Sequence, residues 1–68
     1  MNSKLEIDKE VVKYTHKLMS LVIEIDEYWR RTSPFHKLSQ EDLENLLKLL
    51  SEIEGLVSKL KEKLSFKP

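Results

Sequence analysis

The chain has 68 residues, twelve Lys and Arg against twelve Asp and Glu, 40% hydrophobic residues and no Cys. A chain this short makes one small domain at most and commonly needs a staple; without Cys that is neither a disulfide nor a thiolate metal site, which leaves chain association. The charge is also even along the chain, six against six in residues 1–31 and again in 32–68, which argues against a polyanion binder with its usual basic excess.

Ser3-Lys4-Leu5-Glu6 reads as a capping box, an N-cap Ser with Glu three residues on, so helix 1 is expected from about residue 4. Along it, Ile7, Val11, Tyr14, Leu18, Leu21, Ile25 and Tyr28 recur in alternating steps of four and three, the a/d stripe of a coiled coil. Arg30 and Arg31 suit the negative end of the helix dipole. Pro34 then disfavours helical backbone at Ser33, so the helix is expected to stop by about residue 31 or 32.

A loop over 32–39 follows, of ordinary length for an antiparallel helix pair. Ser39 is an N-cap with Asp42 at N3, and Leu38 and Leu43 are spaced as a hydrophobic staple. Helix 2 is expected over about 40–65. It carries its own stripe of Leu43, Leu46, Leu50, Ile53, Val57, Leu60 and Leu64. Gly55 falls on its polar side, where it reads as a tolerated surface glycine or a point of close approach by a partner.

Folding the chain back at residues 35 and 36 pairs positions whose numbers add to 71, from Tyr28–Leu43 to Ile7–Leu64, and every such layer is apolar on both sides. The expected fold is therefore all-α: one domain over 1–68, an antiparallel two-helix hairpin of coiled-coil type, able to dimerise into a four-helix bundle. Bulky seam residues and the absence of Ala place the helices toward the wide end of the usual spacing, about 10 Å. Abundant Lys and Glu with few Asn and Gln suit a thermostable protein.

One stripe per helix does not use all the apolar residues. In this register Val22 and Leu47 face each other and close one flank. Leu5, Val12, Met19 and Ile23 on helix 1, and Leu49 and Leu56 on helix 2, find no apolar mate, and with Trp29 they form the expected partner-binding set. The partner is a larger protein subunit, a second copy, or both.

His16 and His36 have no ligand at a helical metal spacing, and no Gly-rich loop, nucleophile elbow or facing carboxylate pair occurs, so neither metal, cofactor nor catalytic residue is expected. The tip gathers Trp29, Arg30, Arg31 and Lys37 with Phe35. Those first four are the candidate contacts of an alternative function, a nucleic-acid-associated accessory factor, although direct binding by a chain of zero net charge is not favoured. Phe35 is expected to plug the open end of the hairpin. The richest apolar run, Leu18 to Ile23, is too short to span a membrane, and the chain reads as a soluble cytoplasmic protein. The expected function is a non-catalytic interaction module: a small accessory subunit or a homodimeric bundle.

Overall fold

The first helix, α1 (Lys9–Thr32), starts where Asp8 takes up the first free amides: its Oδ1 accepts from the Glu10 N–H at 2.9 Å. The computed structural model describes residues 7–65, so the Ser3–Glu6 capping box lies outside the described residues. Ile7 and Asp8 precede the helix, which begins later than the expected residue 4 because Asp8 is the cap. At the other end Ser33 is extended (φ −61°, ψ 145°), as the following Pro34 demands, and α1 stops at Thr32.

The connection is closed by short contacts around His36, whose N–H donates to the Thr32 carbonyl at 2.7 Å. His36 sits in the left-handed region (φ 53°), and its ring stands edge-on to Trp29 with centroids 6.0 Å apart. The second helix, α2 (Gln40–Leu64), opens on a full capping box: Ser39 Oγ accepts from the Asp42 N–H at 3.0 Å, and Asp42 Oδ2 accepts from the Ser39 N–H at 3.5 Å. Leu38, just ahead of this cap, packs inward onto the core, while Leu43 remains exposed.

The helices pack against each other, and no strand occurs among the described residues. Their antiparallel sense and axial register are fixed by Lys63, near the end of α2, whose Nζ lies 3.1 Å from Asp8 Oδ2 and 2.9 Å from Glu10 Oε1. Asp8 and Lys63 add to 71, the expected pairing, whereas Glu10 and Lys63 add to 73. One helical turn further in, Lys59 Nζ sits 5.6 Å from the centre of the Tyr14 ring.

The seam of α1 is the expected one from Val11 onward: Leu21 is buried, and Val11, Tyr14, Leu18, Ile25 and Tyr28 are half-buried, but Ile7, expected in it, lies ahead of the Asp8 cap and is 45% exposed. The seam of α2 is not. Leu46, Ile53 and Leu60 point inward as expected, but between them come Leu49, Leu56 and Lys63 in place of Leu50, Val57 and Leu64. Leu49 is 8% exposed and Leu50 47%. At 100° per residue this turns α2 about its own axis by roughly 60° from the expected orientation. Two overlapping heptad stripes share Leu46, Ile53 and Leu60. The one adopted offers Leu56, longer by a methylene than Val57, and brings the Lys63 amine to two carboxylates. Among the described residues the resulting core is small: Leu21, Leu46 and Leu49 are buried, with Ile25, Tyr28, Leu38, Ile53 and Leu56 packed around them.

Candidate functional site

With the seam located, the rest of each helix surface follows from geometry. A residue immediately after a seam position lies 100° further round, and a residue immediately before one lies 100° the other way. Two right-handed helices running antiparallel turn in opposite senses when viewed from one end. All the following residues, from both helices, therefore share one broad face of the hairpin. All the preceding residues share the other.

The preceding residues on α1 are Glu10, Lys13, Lys17, Ser20, Glu24, Glu27 and Arg31; on α2 they are Glu41, Asn45, Lys48, Glu52, Gly55, Lys59 and Glu62. None is apolar. The ion pair of Lys63 with Glu10 and the Lys59 amine over the Tyr14 ring lie on this side, and a shallow groove lined by Lys17, Glu52, Gly55, Leu56 and Lys59 runs between the helices. A Cβ added at Gly55 meets nothing within 4 Å, so Gly55 is not a close-approach point within the hairpin.

The following residues make the opposite kind of surface. On α1 they are Val12, Thr15, Met19, Val22, Asp26 and Trp29; on α2 they are Leu43, Leu47, Leu50, Glu54, Val57, Lys61 and Leu64. Every apolar member is exposed. Thr15 belongs with them in effect: its hydroxyl donates to the Val11 carbonyl at 2.8 Å, which satisfies the oxygen along the helix. Asp26 accepts from Arg30 Nε at 2.9 Å at the margin of the face.

This face is the candidate site, and it redistributes the expected partner-binding residues. Val12, Met19 and Trp29 lie on it. Ile23 is exposed on the back of α1, and Leu5 lies outside the described residues. Leu49 and Leu56 are corrected: the turn of α2 carries them into the seam, so Leu49 is buried and Leu56 half-buried within the hairpin itself. In exchange Leu43, Leu50, Val57 and Leu64, expected inside, stand on the exposed face. Val22 and Leu47 do not close a flank, for both are about half exposed, at 50% and 55%. What identifies the face is visible in the sequence once the α2 seam is known, since it is simply the seam pattern displaced by one residue.

At the tip, Phe35 is 79% exposed and does not plug the hairpin; Leu38 and Tyr28 occupy the end of the core. The candidate nucleic-acid residues do not form one patch. Trp29 faces the apolar side against His36, Arg30 is paired with Asp26 on the outer side, and the Arg31 guanidinium lies 4.5 Å from the centre of the Tyr28 ring on the polar side. Lys37 is exposed in the loop.

The Asp8–Glu10–Lys63 cluster is the strongest electrostatic feature. The Glu10 backbone N–H, and after it the Lys63 ammonium, hold the Asp8 carboxyl below its ordinary range. Hydrogen bonds to Glu10 and then to Asp8 push the Lys63 amine well above its own. Among the described residues no group of three His, Cys, Asp or Glu is arranged to hold a metal ion, and no helix is long and apolar enough to cross a membrane. Compared with known proteins, the chain matches no family model, no curated protein and no solved structure.

Proposed function

We propose that this protein is a non-catalytic interaction module that works by laying the Val22–Leu50 face of its hairpin against another protein surface. The observation that carries this reading is the division of the hairpin into an apolar face and a wholly polar one. A lone two-helix hairpin has no use for the first. Nine residues on it, Val12, Met19, Val22, Trp29, Leu43, Leu47, Leu50, Val57 and Leu64, are large, apolar and exposed. Contiguous apolar surface on that scale marks an interaction site. The face is built on two helices that are also joined across the hairpin by the Lys63 contacts to Asp8 and Glu10. The polar face keeps the module in water when the other is covered.

The test is oxidative footprinting of the chain inside cells, read residue by residue by mass spectrometry. Met19 and Trp29 should be protected relative to Phe35 at the exposed tip, in excess of what the isolated hairpin's geometry gives. Met19 and Trp29 reacting as freely as their exposure in the lone hairpin allows would overturn the reading.

A further inference from the structure

We infer that the surface covering this face is a second copy of the same chain, packed face to face as a four-helix bundle. The inference deepens the interaction reading and rests on it.

Area is the first argument. Helices of 24 and 25 residues run about 37 Å at 1.5 Å per residue, and two side by side are about 20 Å wide. The face therefore offers roughly 700 Å², close to the ~800 Å² that each partner contributes to a stable interface of standard size. A copy of the hairpin matches it end to end, with no overhang.

The pattern along the face is the second. A two-fold axis parallel to the helices lays α1 of one copy antiparallel on α2 of the other and preserves each level of the hairpin. Val22 then meets the level of Leu50, Trp29 that of Leu43, and Thr15, its hydroxyl already satisfied, that of Val57. The charged interruptions, Asp26, Glu54 and Lys61, lie further round each helix than the apolar residues nearest the seam. They fall on the outer margin, at the same helix angle as Val12, Met19 and Leu47, where the charges keep their water. The net charge is zero, so two copies do not repel.

The third argument is that the hairpin needs the cover in order to fold. Among the described residues three leucines are buried, a small core for two helices of this length. Chains of this size without disulfide or metal gain the missing burial by association. A second copy is present wherever the chain is made.

Sedimentation equilibrium of the purified chain between 1 and 100 µM tests this. The expected mass is twice 8.1 kDa. Leu50→Ala, which keeps helix propensity, should weaken the dimer at least about 10-fold, and Leu50→Glu about 100-fold or more. Lys17→Ala, on the polar face, should leave the mass unchanged. A single 8.1 kDa species at 100 µM, or a mass above two copies, would overturn the inference. A monomer here together with protected Met19 and Trp29 in cells would remove the second copy and leave the interaction reading standing; unprotected residues would remove both.

Discussion

The two broad faces of the hairpin are built from the same two helices, one from the residues before each seam position and the other from the residues after. On the first, Lys63, Glu10 and Asp8 form ion pairs, Lys59 lies over Tyr14, and Lys17, Lys48 and Glu52 stand in water. On the second, Val22, Leu43, Leu50 and Val57 are exposed. A hairpin that acted alone would gain nothing from the difference, since both faces would meet the same solvent. The contrast teaches that the two faces have different neighbours, and that the inner seam is only part of the burial that the fold requires.

Substitutions on the two faces should therefore behave unequally. The largest effect is expected from Val22→Glu with Leu50→Glu, which sets two charges in the middle of the apolar face. Burying unpaired carboxylates is costly, and each change also forfeits about 2 kcal/mol of side-chain burial. Circular dichroism at 10 µM should show loss of the cooperative melting transition, whereas Lys17→Gln with Lys48→Gln should leave it in place. Equal melting of the two doubles would erase the comparison.

Next in size is Leu49→Ala, which tests the seam of α2. Leu49 is buried in the hairpin, so its truncation should cost about 2–5 kcal/mol by denaturant titration. A cost below about 0.5 kcal/mol would mean that α2 keeps the orientation with Leu50 and Val57 inside. Smaller, and of opposite sign, is Gly55→Ala on the polar face. The new Cβ meets open space, and the helix gains about 1 kcal/mol, worth roughly 4–8 °C in melting temperature for a domain of this size. Failure to gain stability would point to a partner's backbone close to Gly55.

The smallest effect concerns pH. Asp8 is held below its ordinary pKa, so its contribution is present above about pH 4 and is lost as pH falls through the lowered folded value. Lys63 is held above its ordinary pKa; its contribution is present below about pH 10.4 and is lost only as pH rises through the raised folded value. Thermal melts of Lys63→Gln should lose the alkaline dependence and retain the part of the acid one due to the Glu10 N–H.

The sequence carried the fold further than it carried the site, and the two helices show why. On α1 the seam stripe is flanked on one side by polar residues throughout, so its centre is unambiguous, and Leu21, Ile25 and Tyr28 lie where periodicity puts them. On α2, Leu46, Ile53 and Leu60 belong to two heptad stripes at once. Counting apolar residues favours the stripe with Leu50 and Val57. The adopted stripe ends in Lys63, whose amine reaches across to Asp8 and Glu10, and a tally of apolar residues gives such a contact no weight. The same preference misplaced Leu49 and Leu56, and with them half of the exposed face. The stop at Thr32 and the Ser39 cap depend on local chemistry and survived the turn of α2, whereas the layers adding to 71 that used Leu43, Leu50, Val57 and Leu64 did not. The start of α1 is set by Asp8, a good cap that is also within reach of Lys63, while the Ser3 signal lies outside the described residues.

The claim that most needs testing is that the apolar face is folded against a second copy, and the melting temperature as a function of concentration addresses it directly. When folding and association are one event, stability depends on protomer concentration. The midpoint by circular dichroism should rise by several degrees between 1 and 100 µM chain, with a single transition throughout. The same midpoint at both concentrations, with full helical signal, would contradict the account and show the hairpin to be stable with its apolar face in water.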